Sequence, residues 1–118
     1  MSETRLARVG DQIQREIASL LSAGQVKDER IGFVTITAVK LTPDMKEAKV
    51  YFTAHGSEAE QAATAEALAR NAGRFRAHVG RTMKIRHAPL LRFVHDASIE
   101  EGAKIERLLK EVREKEGW

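Results

Sequence analysis

The chain has 118 residues, 42% hydrophobic and 31% charged, with no cysteine and a net charge of +3, which fits one compact domain and leaves two separate cores too little material. Without cysteine there is no disulfide framework, thiolate nucleophile or cysteine-ligated zinc, and the expected compartment is cytoplasmic. Apolar runs such as Val50 to Phe52 fall far short of the ~20 residues of a membrane span, and residues 1–10 lack the apolar centre of a signal peptide, so no membrane partner is expected.

From Glu3 to Ala23, Leu6, Val9, Ile13, Ile17, Leu20 and Leu21 recur at steps of three and four, the stripe of an amphipathic helix. Ser2 is placed as its N-cap and Gly24 as its C-cap. Arg5, Arg8 and Arg15 lie off the stripe, on the side open to solvent or phosphate.

The pattern becomes β-rich over residues 33–41, with Val34, Ile36 and Ala38 alternating against Phe33, Thr35 and Thr37. Thr42-Pro43-Asp44 marks a turn, and a second strand runs from Glu47 to Ala54 with Ala48, Val50 and Phe52 on one side and Lys49, Tyr51 and Thr53 on the other. The pair reads as a hairpin with one face covered.

Ser57 and Glu60 have capping-box spacing, so the alanine-rich segment to Arg70 is expected to be helical from Ser57. Asn71-Ala72-Gly73 then predicts a kink, because asparagine and glycine tolerate left-handed backbone angles and a mid-helix glycine costs ~1 kcal/mol relative to alanine. On that reading a β-branched residue at Gly73 strains the fold. The next helix, Gly73 to Lys84, aligns Phe75, Val79 and Met83 on one side and Arg74, His78 and Arg81 on another.

Charge is concentrated here. Between Glu66 and Asp96 there is no acidic residue, while Arg70, Arg74, Arg76, Arg81, Lys84, Arg86 and Arg92 supply seven positive charges; the remaining thirteen basic residues face seventeen acids. A block of one sign in a nearly balanced chain suits a polyanion, because neutralising each phosphate releases condensed counterions. Pro89 ends the helical segment, Leu90 to His95 form a third strand, and Ser98 with Glu101 start a last helix carrying Ile105, Leu108, Leu109 and Val112. The order is α-β-β-α-kink-α-β-α across a single domain, 1–118, with 110–118 a charged tail expected to fray.

Catalytic chemistry has little to stand on. His55, His78, His87 and His95 show no metal-ligand spacing, and three of them share the basic segment, where a cation meets repulsion. The acid pairs Glu58/Glu60 and Glu100/Glu101 occupy first helical turns, where the helix dipole alone explains them. No Gly-rich phosphate cradle appears, so no cofactor, metal or enzymatic activity is expected. Most of the six aromatics, Phe33, Tyr51, Phe52, Phe75, Phe93 and Trp118, are assigned to the core; Tyr51 is the best candidate for an exposed stacking ring, with packing the first expectation.

These residues resemble the bacterial ribosome-binding factor A family over nearly the whole chain. The resemblance is carried by the opening helix from Arg8 to Ile17, the hairpin with Val34-Thr35-Ile36-Thr37 and Ala48-Lys49-Val50-Tyr51, the block Gly73-Arg74-Phe75-Arg76 through Gly80 with Met83-Lys84-Ile85-Arg86, and the run Pro89 to Ser98. It implies an α+β, KH-like fold of the second topology, a three-stranded sheet packed on helices, with an Ala-x-Gly interhelical kink replacing the GxxG loop of RNA-clamping KH domains. Here that kink reads Asn71-Ala72-Gly73, and no Gly-x-x-Gly occurs in the chain.

The resemblance further implies a ribosome assembly factor. It would bind the free small (30S) subunit and its 16S rRNA or precursor, assist late maturation and 5′-end processing, matter most at low temperature, and act alongside ribosome-assembly GTPases. The residues themselves point to a binder of structured RNA; with the resemblance, the expectation is a non-enzymatic RNA chaperone, a monomer, that docks through Arg70, Arg74, Arg76, Arg81, Lys84 and Arg86, with Arg92, Arg5, Arg8 and Arg15 as secondary contacts. Two alternatives are a protein-interaction module whose basic segment is a solvated face, and a nuclease acting on the rRNA precursor.

Overall fold

A computed structural model describes residues 3–96. The elements in chain order are α1 (Glu3–Ser22), β1 (Val34–Leu41), β2 (Glu47–Ala54), α2 (Glu58–Arg70), α3 (Ala72–Thr82) and β3 (Leu90–His95). The expected Ser2 cap, the last helix, its charged tail and Trp118 lie outside the described residues.

The sheet order is β1-β2-β3. β1 and β2 pair antiparallel as the expected hairpin, while β2 and β3 pair in parallel. Parallel neighbours need a long crossover, and α2 and α3 supply it. The result is a KH-like α+β fold of the second topology, with the helices on one face of the sheet.

That face holds the core. Ile13, Ile17 and Leu20 from α1, Leu68 from α2 and Phe75 and Val79 from α3 cluster with Ile36, Val39, Ala48, Val50, Phe52, Ala54 and Leu91 of the sheet. Phe93 links the helices to the strands, its ring 5.3 Å from that of Phe75 and 6.5 Å from that of Phe52. In α1 the centre of the apolar stripe, Ile13, Ile17 and Leu20, is buried, Val9 and Leu21 pack against the core half-buried, and Gly10 is buried beside them. A Cβ on Gly10 would stand 2.7 Å from the Val39 carbonyl oxygen, so glycine lets the helix approach the β1 backbone. Gln14 strengthens the same contact by donating from Nε2 to the Ile36 carbonyl at 3.0 Å.

The strict alternation expected for β1 breaks at Thr37. Ile36 pairs with Phe52 and Ala38 with Tyr51, so Thr37 is an extra residue in a β-bulge. The bulge shifts the inward parity from Ala38 to Val39, which is buried, and lets Val39 face the core beside Val50. The Thr37 hydroxyl donates to Asp96 Oδ2 at 3.0 Å. Phe33 also departs from the core assignment: it precedes β1 and is 74% exposed, its ring 5.0 Å from that of His55.

Both predicted helix-end signals that fall within the described residues, the Ser57 box and the Gly24 cap, are present. At the start of α2, Glu60 N–H donates to Ser57 Oγ at 3.1 Å and Ser57 N–H to Glu60 Oε1 at 3.2 Å. Past the end of α1, Gly24 takes φ +65° while Gln25 N–H donates to Leu20 O and Gly24 N–H to Leu21 O, a Schellman closure.

Candidate nucleic-acid interface

α3 turns two faces in opposite directions. Phe75 and Val79 are buried, and three residues apart on the far side of the helix Arg74 and Ala77 are exposed, followed by Arg81 one turn on. Arg74, Ala77, His78 and Arg81 line a hollow of ≈ 260 Å³ together with Leu20, Gln25 and Val26 at the end of α1. His78 is anchored there, its Nε2 3.1 Å from Glu16 Oε2 of α1. The predicted grouping of Arg74, His78 and Arg81 is therefore present, with the histidine engaged by the core side and the arginines at the rim. Among the described residues, the guanidinium groups of Arg74 and Arg81 have no hydrogen-bond or ion-pair partner.

The break between α2 and α3 is made differently from the expectation. Asn71 has φ −94° and ψ 6°, a bridge-region conformation and not a left-handed one. Gly73 lies within α3 in ordinary helical geometry, and a Cβ there would meet nothing within 4 Å. The assigned strain at Gly73 is thus corrected: the residue that organises the break is Asn71. Its side chain is buried and donates from Nδ2 to the Ala67 carbonyl at 2.8 Å and to Asp28 Oδ2 at 3.0 Å. Its carbonyl accepts from Arg74 N–H at 2.9 Å and Phe75 N–H at 3.2 Å, so one residue closes α2, starts α3 and ties both to the loop after α1.

That loop brings in charges that no helical pattern could assign to the interface. A hollow of ≈ 760 Å³ is bordered by Lys27, Asp28, Glu29 and Arg30 on one side and by Arg70, Asn71 and Arg74 on the other. Backbone donation from Arg30 is the largest influence holding the Asp28 carboxyl below the usual range, with the Asn71 amide adding to it. Asp28 therefore stays ionised and partners Arg30, its Oδ1 3.4 Å from Arg30 Nε. Lys27, Arg70 and Arg74 then border the hollow without an ion-pair partner among the described residues.

The remaining predicted residues separate into groups. Arg76 is two positions from Arg74 and so projects from a different side of α3; its Nε donates to the Ala88 carbonyl at 3.0 Å and braces the loop into β3. Arg92 lies on the sheet face away from the helices, 3.5 Å from Glu47. Arg5, Arg8 and Arg15 are exposed along α1, and neither hollow beside Arg74 includes them. Lys84 and Arg86 are exposed just beyond α3. Lys84 has φ +55°: Ile85 N–H donates to Gly80 O and Lys84 N–H to Arg81 O, the same closure that uses Gly24 after α1. A lysine in the position that favours glycine is held there at a local cost.

Among the described residues no group of three or more His, Asp or Glu side chains could hold a metal ion. The carboxyls held below their ordinary values, Asp28, Asp44 and Glu60, are each stabilised first by a backbone N–H in a turn or helix cap, which is structural work. No helix among them is long and apolar enough to cross a membrane.

The fold and this surface together define a small KH-like α+β protein in which the second crossover helix, with the loop after α1, presents unpartnered cations to solvent. Residues 5–109 match the family model described as ribosome-binding factor A, and the chain belongs to that family. It is 41% identical over 112 residues to ribosome-binding factor A of Brevibacillus brevis, covering 95% of this chain and 92% of the relative. The crystal structure of ribosome-binding factor A from Thermus thermophilus superposes with a TM-score of 0.65 at 29% identity, covering 76% of this chain and 94% of that one. A homology model of the Thermus thermophilus ribosome-binding factor A, as fitted into the cryo-EM map of a complex of the 30S subunit with that factor, gives a TM-score of 0.63 at 28% identity, covering 78% of this chain and 96% of that one.

Proposed function

We propose that this chain is a non-enzymatic assembly factor that binds the free small ribosomal subunit through its 16S rRNA, using the α3 face around Arg74 and Arg81. The observation that carries the reading is the placement of Lys27, Arg70 and Arg74 at the kink and of Arg81 further along α3, none of them in an ion pair among the described residues, in a member of a ribosome-binding family. The Thermus relative fitted into a 30S complex supports the same partner. Cations without protein partners gain most from phosphate, and such contacts position a protein by RNA shape.

Binding one rRNA conformation in preference to another suffices to assist late maturation and 5′-end processing, because a ligand shifts an equilibrium by its differential affinity. No covalent step is required of the chain. RNA misfolds are slower to resolve in the cold, so the need for such a factor is greatest there, and its work is coupled functionally to the GTPases that act on the same particle. The protein acts as a cytoplasmic, single-domain monomer.

Co-sedimentation with free small subunits and with joined ribosomes, at low and moderate salt, tests the reading. Binding to free subunits that weakens with salt and is lost on joined ribosomes is expected; failure of the folded protein to bind either particle overturns it. The competing reading as a protein-interaction module draws on exposed Phe33 beside a hollow of ≈ 560 Å³ between the end of α1 and the start of β1. It predicts binding that resists nuclease and depends only weakly on salt.

A further inference from the structure

The sheet face opposite the helices carries a second cationic feature. Lys40 of β1 pairs in register with Lys49 of β2, and Lys49 pairs in register with Arg92 of β3. Three like charges thus stand in one row across all three strands, each exposed, with neighbouring strands about 4.8 Å apart. Like charges directly opposite destabilise a sheet, so the row works against folding in the isolated protein. Among the described residues, only Arg92 of the three is in an ion pair, with Glu47 at 3.5 Å between half-exposed groups, a contact of small worth in water.

The adjoining row is Ala38, Tyr51 and Val94, which places a tyrosine between two short side chains. Tyr51 is half-buried, on the face away from the core that encloses Phe52, and Lys40 Nζ lies 5.8 Å from its ring centroid. Cations that track a backbone, next to a ring on which a base can lie, are what single-stranded nucleic acid requires.

We propose that the outer face of the sheet is a second RNA-binding surface, in which Lys40, Lys49 and Arg92 take the phosphates of an unpaired strand and Tyr51 stacks against one of its bases. The proposal deepens the reading of the chain as an rRNA-binding factor. Since α3 packs on the opposite side of the sheet, the protein would touch two RNA segments at once and hold them apart or in register, as a wedge.

The test uses the full chain and a fluorescent twelve-nucleotide uridine strand, followed by anisotropy at several salt concentrations, with subunit co-sedimentation in parallel. K40Q/K49Q is expected to bind the strand about tenfold more weakly and to lower the slope of log affinity against log salt by about 1.5, near 0.7 per lost phosphate contact. Y51L is expected to lose about fivefold in affinity with the slope unchanged. A thermal midpoint of K40Q/K49Q equal to or above that of the parent shows that the fold is intact, as relief of like charge predicts.

If both variants bind the strand as the parent does, the second surface is wrong, whereas subunit binding that still depends on Arg74 and Arg81 leaves the assembly-factor reading standing. If K40Q/K49Q binds the strand normally yet loses the subunit, the face docks a protein and the proposal is overturned. Strand binding that depends on the row, in a parent that fails to sediment with subunits, would uphold the surface and remove the assembly factor.

Discussion

Lys84 and Asn71 show how single residues are committed on this scaffold. Both α1 and α3 end in the same hydrogen-bonded closure, and the left-handed position is Gly24 in one and Lys84 in the other. A side chain there costs on the order of 1 kcal/mol relative to glycine, so an ammonium at the end of a basic helix is kept against local stability. Lys84→Gly is expected to raise unfolding free energy by about 1 kcal/mol in denaturant titration while weakening subunit binding. Asn71→Ala is expected to cost about 1 kcal/mol, because the alanine forfeits the amide bonds to Ala67 and Asp28. Gly73→Val, by contrast, should fold without penalty, since Gly73 is exposed, helical and surrounded by open space. Asp28 and Glu60 are both held below their ordinary values, so the stability they contribute is fully present above about pH 4.5 and is lost as pH falls through their lower folded-state values. Thermal midpoints measured from pH 7 to pH 3 should fall at the acid end, and less steeply for Asp28→Asn.

At the scale of elements, the helices and strands were legible because their residue periods are strong. The stripe from Leu6 to Leu21, the Ser57 box and the β2 alternation each specify a local structure that tertiary packing then reinforces. The β1 alternation is not legible past Ile36, because a bulge is a property of the pairing, and no residue of β1 alone announces that Thr37 is skipped. The position of the kink is legible in the residues, and its cause is not. Its anchor, the Asn71 amide on Asp28, joins residues 43 apart in sequence, and no spacing rule reaches that far. Gly10 is similar: in the sequence it is a helix-weakening residue, and only the Val39 carbonyl above it explains its use. Gly10→Ala is therefore expected to destabilise by about 1 to 3 kcal/mol despite alanine's better helix propensity, as measured by chemical denaturation. The same logic divided the candidate site. Helical spacing found Arg74 with Arg81 and could separate neither Arg76, which braces the Ala88 loop, nor Arg92, which lies across the sheet.

For the whole molecule, the helical layer and the open sheet face give the protein two sides of different build. The helical side gathers Arg70 and Arg74 beside Lys27 at the kink, where the break between α2 and α3 and the loop after α1 share hydrogen bonds, and carries Arg81 further along α3. Binding there is set by charge and shape, so affinity should depend steeply on salt, and each phosphate contact removed should lower that dependence by nearly one. On this reading the same surface holds the small subunit. This is tested most directly by sedimenting Arg74→Gln/Arg81→Gln and the parent chain with free small subunits over a range of salt concentrations, after confirming equal thermal midpoints. The variant is expected to bind at least tenfold more weakly, with a salt slope reduced by nearly two; equal affinity and equal slope would rule this surface out as the binding site.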